Sequence, residues 1–405
     1  MQKYEHAFGK NDIRGIYGED ITEEFYYNTA SGFVEWIKSQ SGLKENDITI
    51  TVVRDARLHS PSLENALVTG FAKTGVNVIK LGLAPTPIGY YSEAAGVQGK
   101  NITASAIITA SHNPKEYNGL KMTYNKQTLN ETQIKEVKEL TFKNWKEYKD
   151  STVKSINLST VSEYNIIPDY IKDMTERFGS IGQGVKIVVD SANATGGIVA
   201  PELYRKIGCE VTELFSEPDG NFPNHHPNPS VEKTLDTLKE VVKREKADVG
   251  IAFDGDSDRI GIIDNNGKFL TGDKLLYIYA TDLIETCKPK GIVPNIVSEV
   301  KCSQFLYDGI NSLGGNAIMC KTGHGYIKSK MKETEALLAG DMSGHTFFKD
   351  RYYGFDDAVY AGCRIIEIIS KQKEQNPKFQ ISELLKPFDS VFSRSEEHTS
   401  ELQSR

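Results

Sequence analysis

Short apolar runs rich in Val and Ile alternate with longer segments of helical period along most of this chain. The run ITITVVRDA (48–56) is followed by the helical PSLENALVTGFAKTG, and the run VKIVVDSA (185–192) is followed by the helical GGIVAPELYRKIG. Such runs are typical of strands buried on both faces of a parallel or mixed sheet. The alternation therefore predicts the α/β class, in which helices cover the sheets.

The chain is too long for one ordinary core. Its 405 residues suit several domains of about 100 to 150 residues, and the apolar runs fall into three groups of about that size. We expect domains at 1–156, 157–268 and 269–384, with the first boundary in a polar stretch near residue 156. The final segment 394–405 shares no hydrophobic period with the rest and back-translates to a common sequencing-adapter oligonucleotide, so we expect an artefact there.

Composition and charge exclude several classes of function. A net charge of −7, with both signs mixed along the chain, argues against a nucleic-acid binder. The five cysteines never form a CxxC pair, which argues against a disulfide framework and a zinc site and favours a reducing cytoplasm. The N-terminus has no apolar core segment and no run of 18 apolar residues occurs, so we expect neither a signal peptide nor a membrane span.

The first candidate site is TASHNP (109–114), which directly follows the apolar run SAIITA. In an open α/β domain the ligand crevice lies outside the carboxyl ends of the strands, so Ser111 is placed for chemistry. A lone serine among Asn and Pro is also typical of a turn or a helix N-cap.

The second candidate is DGDSDR (254–259), at the end of the run VGIAFD. The carboxylates of Asp254, Asp256 and Asp258 can converge on one magnesium ion, which binds about six oxygens. An EF-hand also opens D-x-D-x-D, but that loop requires Gly where Arg259 stands and Glu where Asn265 stands. A phosphatase with Asp254 as the nucleophile and a solvated acidic turn are the other two alternatives.

The third candidate is GDMSGH (340–345), after the short run LLAG. Asp341 and Ser343 offer a carboxylate and a hydroxyl for sugar hydroxyls, and His345 offers an imidazole that can titrate near neutral pH. We interpret this segment as a loop that binds a sugar.

Together these segments resemble the phosphohexose mutases of the phosphomannomutase/phosphoglucomutase family. TASHNPKEYNGLK is similar to the phosphoserine loop of that family, and GDMSGH to its sugar loop, in which Glu is usual where Asp341 stands. FGKNDIRG (8–15) is similar to the N-terminal signature, in which Tyr is common where Asn11 stands. Further segments match in order, so the resemblance covers residues from about 4 to 393: RDARLHSP, APTP, PDGNFPNHHPNP, EVKCS and KTGHGYIK.

The resemblance implies three consecutive similar α/β domains with mixed sheets and an active-site cleft between them. Family members continue into a smaller fourth domain, whose Arg-Ser-Gly/Asn-Thr loop grips the phosphate that is not reacting. The segment ISELLKPFDSVFS (381–393) resembles the opening of that domain. We therefore expect residues 385–393 to be the start of a fourth domain that is largely missing.

The resemblance also implies a reaction, the interconversion of hexose 6-phosphate and hexose 1-phosphate, with mannose, glucose or both as the hexose. Phospho-Ser111 would be the carrier, and glucose or mannose 1,6-bisphosphate would be intermediate and activator. One Mg²⁺ would be bound by Ser111, Asp254, Asp256 and Asp258. The catalytic residues implied are Ser111, His112, Lys121, Arg14 and His345, and the substrate-binding residues implied are Lys301, His324, Asp341, Ser343 and Arg259.

Other functions remain open at this point. A phosphoglucosamine mutase is one alternative, although family members with that activity usually carry Gln where Met342 stands. A metal-dependent sugar phosphatase and an inactive sugar-phosphate binder are the others. We expect small-molecule sugar phosphates as partners, with no nucleic acid and no membrane, and a monomer or weak dimer. The general base among Arg14, Lys121 and His345 is left open.

Overall fold

The computed structural model describes residues 2–148 and 158–388. The predicted 156/157 domain limit, the predicted tail at 394–405 and most of the predicted segment 385–393 lie outside the described residues. Among the residues described, no helix combines the length and the apolar character that a bilayer span requires.

Seven strands form the first sheet: β1 (Ile13–Ile16), β2 (Thr49–Arg54), β3 (Asn77–Leu83), β4 (Ala104–Ile108), β5 (Tyr117–Tyr124), β6 (Gln127–Thr128) and β7 (Val161–Glu163). Their order is β1-β5-β4-β2-β3-β7, and β6 pairs with β5. The pairs among β4, β2, β3 and β7 are parallel, whereas β5 runs antiparallel to both β4 and β1. The accompanying helices are α1 (Glu23–Ser41), α2 (Ser60–Thr74), α3 (Thr86–Ala95) and α4 (Glu131–Lys143).

The second sheet has five strands in the order β12-β11-β10-β8-β9. They are β8 (Lys186–Asp190), β9 (Glu210–Leu214), β10 (Val249–Phe253), β11 (Ile260–Asp264) and β12 (Phe269–Leu270), with helices α5 (Ile167–Phe178), α6 (Ala200–Lys206) and α7 (Asp236–Glu245). Strands β9, β8 and β10 are parallel, and β11 is antiparallel to β10.

The third sheet has four strands in the order β14-β13-β15-β16. They are β13 (Asn295–Glu299), β14 (Asn316–Cys320), β15 (Leu338–Gly340) and β16 (Thr346–Phe348), with helices α8 (Gly272–Cys287), α9 (Gln304–Leu313), α10 (His324–Thr334) and α11 (Ala358–Gln375). The 3-10 helix Ile381–Phe388 follows. Strands β14, β13 and β15 are parallel, and β16 is antiparallel to β15.

One strand order therefore occurs three times, as β3-β2-β4-β5, β9-β8-β10-β11 and β14-β13-β15-β16. In each unit the third parallel strand is followed by a loop and then by a fourth strand, which pairs antiparallel with the third. The connection between those two strands contains TASHNP in the first unit, DGDSDR in the second and DMSGH in the third. The predicted class, three similar α/β domains with mixed sheets, is confirmed, and the repeat gives the three candidate loops equivalent positions.

Two short strands lie beyond the domain limits expected from the sequence but pair with the sheet of the preceding unit. Val161–Glu163 pairs with β3 in the first sheet, and Phe269–Leu270 pairs with β11 in the second. Both lie just beyond the limits at 156/157 and 268/269, on the side assigned to the next domain. Strands of two or three residues carry too little periodic signal to be assigned from sequence. The division at those limits stays a prediction.

The second and third units share one core with part of the first unit. Helix α11 makes a close contact there, because the Tyr204 hydroxyl donates to the Val359 carbonyl at 3.0 Å. A Cβ at Gly362 would lie 1.9 Å from the oxygen of that hydroxyl, so only glycine allows this approach. The shared core holds the three site loops in a fixed relation to one another.

The first unit contains a buried glutamate whose titration should be measurable. Glu93, in α3, accepts hydrogen bonds from the Thr123 hydroxyl and the Lys126 amide. Burial raises the pKa of Glu93 to about 7 from its ordinary 4.5. Because the folded pKa lies above the unfolded one, the stabilisation is fully present below the unfolded pKa and is lost as the pH rises through about 7.

Glu93→Gln should therefore flatten the pH dependence of unfolding in this unit. Relative to the variant, the wild-type unfolding free energy should fall by about 2 to 3 kcal/mol between pH 4.5 and 8. Both tryptophans, Trp36 and Trp145, belong to this unit, so urea unfolding followed by their fluorescence reports it. Glu35→Gln, at an exposed position on α1, is the matched control. Equal slopes for wild type and Glu93→Gln would contradict the assignment.

Candidate active site

The three equivalent loops meet at one cavity of about 260 Å³. The cavity is lined by residues from all three units, which are Asn11, Asp12, Arg14, Ser111, Lys121, Asp258, Arg259, His324 and His345. Backbone hydrogen bonds also join the DGDSDR loop, and the strand that follows it, to the other two units. The Ile260 amide donates to the Gly344 carbonyl at 3.1 Å, and the Thr86 amide donates to the Asp256 carbonyl at 2.8 Å.

Ser111 lies just beyond the carboxyl end of β4 and is buried. Its backbone is in the left-handed region, with φ at 50°, and its amide donates to the Thr109 hydroxyl at 2.8 Å. The Ser111 hydroxyl donates to Asp254 Oδ2 at 2.7 Å and lies 3.2 Å from His112 Nδ1. The loop thus brings the candidate carrier of the first unit into contact with the acidic loop of the second.

Asp254, Asp256 and Asp258 form a buried carboxylate cluster. Each offers an oxygen, and these oxygens lie within 4.8 Å of one another. One oxygen of Asp256 is buried without a hydrogen-bond partner, and Oδ1 of Asp258 has only the ion-pair contact with His345 Nε2 at 3.4 Å. Unpaired buried carboxylate oxygens are costly, and a hard divalent cation satisfies them with the ligands it prefers. The donor set therefore fits Mg²⁺.

Lys121 supplies positive charge to this cluster. It projects from β5, is buried, and its Nζ lies 2.8 Å from Asp256 Oδ2 and also pairs with Asp258. Burial raises the pKa of Asp254 well above its usual range, and the neighbouring Asp258 and Asp256 add to the effect. Burial would raise the pKa of Asp258 too, but Lys121 and then His345 outweigh it and hold that pKa well below its usual range.

The third loop is organised by Asp341. Its Oδ1 accepts the amides of Ser343 and His345, both at 3.0 Å, and also the Ser343 hydroxyl. Its Oδ2 lies 2.7 Å from His345 Nδ1. Burial would raise the pKa of Asp341, but His345 outweighs it and lowers that pKa to about 2. In this arrangement Asp341 orients the imidazole.

His345 connects the third loop to the acidic loop. Its Nε2 lies 3.4 Å from Asp258 Oδ1 and 3.3 Å from Arg259 Nε. Burial would lower the pKa of His345, but Asp341 and Asp258 outweigh burial and raise it to about 10. This direction favours the protonated imidazole, which would add a second positive charge beside the carboxylates.

Two arginines and two neutral histidines complete the lining and its surroundings. Arg14 donates to the Asn113 side chain at 2.9 Å and pairs with Asp12, and Arg259 lies 4.0 Å from Asp254. Burial, with Arg259 and Arg14 nearby, lowers the pKa of His112 to about 3. Burial likewise lowers the pKa of His324 well below its usual range. An anionic ligand in the cavity would therefore meet mainly cationic and neutral side chains.

Not every residue implied by the resemblance lines the cavity. Arg14, Ser111, Lys121, Asp258, Arg259, His324 and His345 do. Asp254 and Asp256 lie behind Ser111 and Lys121, to which they are hydrogen-bonded. Asp341 and Ser343 lie behind His345. Lys301 follows β13 and is exposed, away from the cavity lining.

The structure adds residues that the sequence did not single out. Asp356 is fully buried, and its carboxylate lies in a cluster with Asp258 and His345. The same carboxylate forms an ion pair with Lys328 Nζ at 2.7 Å, and Lys328 donates to the Thr128 hydroxyl of the first unit at 3.0 Å. The only available signal was the pair of aspartates in YYGFDD. Nothing in that string indicates which loop they face.

The fold and the site define a class: an α/β enzyme of repeated units whose loops combine a strand-end serine, a carboxylate cluster with the donor set of a metal site, and a cationic cavity. Three family models match in order. The phosphoglucomutase/phosphomannomutase alpha/beta/alpha domain I matches residues 5–148, domain II matches 168–267 and domain III matches 271–388. The chain belongs to the phosphoglucomutase/phosphomannomutase family.

Individual relatives agree with this assignment. The chain is 38% identical over 372 residues to the phosphomannomutase/phosphoglucomutase of Pseudomonas aeruginosa. The aligned region covers 91% of this chain and 75% of that protein. It is 37% identical over 363 residues to the phosphoglucomutase of Neisseria gonorrhoeae, covering 90% and 75% respectively. The crystal structure of a phosphoglucomutase/phosphomannomutase family protein from Burkholderia thailandensis superimposes with a TM-score of 0.81 at 33% identity, covering 91% and 77%.

Proposed function

We propose that this protein is a phosphohexose mutase, an isomerase that interconverts hexose 6-phosphate and hexose 1-phosphate, with mannose, glucose or both as the hexose. The observation that carries the proposal is the 2.7 Å contact between the Ser111 hydroxyl and Asp254 Oδ2. That contact places the one strand-end serine of the TASHNP loop against the carboxylate cluster. A phosphoryl group on Ser111 would lie beside the cation that the cluster binds.

The transfer has two mirrored halves. In the first, the bond between Ser111 Oγ and phosphorus breaks, a bond from phosphorus to the free sugar oxygen forms, and the proton of the sugar hydroxyl ends on Ser111 Oγ, the leaving oxygen. The resulting hexose 1,6-bisphosphate reorients, and its other phosphoryl group returns to Ser111. Glucose or mannose 1,6-bisphosphate would be both intermediate and activator. Small sugar phosphates are the proposed partners.

The residues of the chain divide this chemistry among them. Asp254, Asp256 and Asp258 would hold one Mg²⁺, which neutralises charge on the transferring group when bound. Lys121, His345 and Arg14 surround the same space with positive charge, which stabilises the developing negative charge. His112 Nδ1 lies 3.2 Å from Ser111 Oγ and, with its pKa lowered to about 3, would act as a neutral hydrogen-bonding partner of the serine oxygen rather than as the base.

The substrate would be held by side chains of the second and third units that line the cavity or lie behind its lining. His324 and Arg259 line the cavity directly, and Asp341 and Ser343 orient His345 from behind. Two cationic side chains among them, Arg259 and His345, suit a sugar that carries phosphate. Lys301 is exposed, so a role in substrate binding would require its loop to move toward the cavity.

Product analysis tests the function directly. With Mg²⁺ and a trace of glucose 1,6-bisphosphate, mannose 1-phosphate and glucose 1-phosphate should be converted to the 6-phosphates. Chelation of Mg²⁺ should stop conversion. Release of inorganic phosphate without 6-phosphate would instead identify a sugar phosphatase, and turnover of glucosamine 1-phosphate alone would identify a phosphoglucosamine mutase.

A further inference from the structure

Arg57 is a buried residue that the mechanism above does not use. It lies just beyond the carboxyl end of β2, in the segment RDARLHSP, and its side chain is 0% exposed. A guanidinium group has five N–H donors in a planar fork. What those donors contact decides whether Arg57 can bind a phosphate.

All five donors of Arg57 have protein acceptors. Nε donates to Asp55 Oδ2 at 3.0 Å. The other four bonds go to backbone carbonyls of residues 109–117, the serine loop. These are the carbonyls of Ser111 at 2.8 Å, Asn113 at 2.7 Å, Pro114 at 2.6 Å and Tyr117 at 3.0 Å. The guanidinium therefore has no donor left for a ligand. It fastens the loop instead.

Asp55 fixes the other end of this arrangement. Its Oδ1 accepts the Arg57 amide at 3.1 Å and the Ser60 hydroxyl at 2.6 Å, and its own amide donates to the Ile108 carbonyl. Ile108 is the last residue of β4, the strand that leads into the serine loop. Asp55 thus anchors the guanidinium at the carboxyl ends of β2 and β4. The remaining four N–H groups hold the loop that carries Ser111.

The serine loop needs such a restraint. The left-handed region is unfavourable for a non-glycine residue, so the φ of 50° at Ser111 is strained for an isolated loop. The Ser111 carbonyl, which receives one Arg57 bond, also lies so close to Gly255 that a Cβ there would be 2.4 Å from it. Arg57 and the acidic loop therefore hold the same peptide from two sides.

The segment PDGNFPNHHPNP of the second unit covers Arg57. The Phe222 ring centre lies 5.5 Å from the Arg57 guanidinium carbon. A Cβ at Gly220 would lie 2.5 Å from the Ala56 carbonyl oxygen and 2.9 Å from Arg57 Cα. The second unit thus packs directly against Arg57 and excludes water from it. Because the local dielectric is low there, the hydrogen bonds of Arg57 are stronger.

We propose that Arg57 is the positioning residue of the phosphoryl carrier: it holds the serine loop so that the Ser111 hydroxyl points at Asp254. This inference rests on the proposed function, because it assigns a purpose to the geometry of Ser111. Arg57→Lys keeps the charge but loses the planar fork and two of the five donors. Arg54→Lys, at the last residue of β2 and with a half-buried side chain, is the matched control.

The test is single-turnover phosphorylation of Ser111 by glucose 1,6-bisphosphate, followed by intact mass. Arg57→Lys should take up phosphate about 100-fold more slowly than wild type, the scale expected for misplacing a reacting group by about 1 Å. Its kcat should fall by a similar factor while KM and Mg²⁺ affinity change little. Arg54→Lys should match wild type. In Arg57→Ala, added guanidinium should restore part of the rate, whereas the same concentration of ammonium should not.

The outcomes separate the two proposals. If wild type takes up phosphate on Ser111 and Arg57→Lys does so at the same rate, the positioning role is wrong and the mutase function stands. If wild type never becomes phosphorylated on Ser111, both fall. If Arg57→Lys does not fold, Phe222→Leu decides: uptake slowed at unchanged KM supports the role, and a wild-type rate overturns it.

Discussion

Replacing Ser111 by Ala should abolish phosphoryl transfer while leaving the fold intact. The substitution removes only the hydroxyl group, whose short hydrogen bond is to Asp254 Oδ2 rather than to any group of the apolar core. Deleting the nucleophile of an enzyme that works through a covalent intermediate costs roughly 10⁵- to 10⁶-fold in kcat. Incubation with glucose 1,6-bisphosphate should add one phosphoryl group to the wild type, on the Ser111 peptide, and none to the variant.

Ser105→Ala provides the matched control. Ser105 lies on β4, the strand that leads to Ser111; it is equally buried, and its hydroxyl has no hydrogen-bond partner in the structure. Its removal should leave both the phosphoryl uptake and the turnover close to wild type. A phosphoryl group found on Asp254 in the wild type would overturn the proposed mechanism and favour the phosphatase alternative.

The fold class could be predicted from the sequence because strands buried on both faces leave continuous apolar runs. VKIVVD and VGIAFD read as strands for that reason, and both are strands in the second sheet. The three candidate loops were found by the same signal, since each begins where an apolar run ends. The sequence does not reveal that each loop joins the same pair of strands in its unit, because pairing depends on residues far apart in the chain.

The contacts inside the site were less predictable. Lys121 lies in the middle of β5, so its position over Asp256 depends on how the first unit packs against the second. Asp341 is hydrogen-bonded to Ser343 and His345, contacts that the sequence did not indicate, and its contact with a sugar stays a prediction. Arg57 sits in a segment that the resemblance marked, yet nothing in RDARLHSP indicates that its donors reach carbonyls more than fifty residues away. Such contacts are set by tertiary packing rather than by local pattern.

The metal site allows the sharpest test of the acidic loop. Asp254 Oδ1 accepts the amides of Asp258 and Arg259, both at 3.2 Å, and Oδ2 accepts the Ser111 hydroxyl. Asn can keep the amide contacts through its carbonyl oxygen and can donate to the serine oxygen through its nitrogen. Asp254→Asn therefore removes one negative charge and one metal ligand with little change in shape. Asp264→Asn is matched to it, because buried Asp264 also accepts two backbone amides, from Asn266 and Lys268, outside the cluster.

Asp254→Asn should weaken Mg²⁺ binding by at least about 10- to 100-fold, the loss already seen when groups behind the ligands are changed. Without metal, the variant should melt no lower than the wild type, since one fewer charge must share the buried cluster. Excess Mg²⁺ should raise the melting temperature of the wild type and of Asp264→Asn, because a ligand that binds only the folded state stabilises it, but should leave Asp254→Asn almost unchanged. Calorimetric titration and thermal melts, with and without Mg²⁺, measure both effects without any substrate. A metal-induced shift of equal size in Asp254→Asn and wild type would show that the DGDSDR loop is not the metal site.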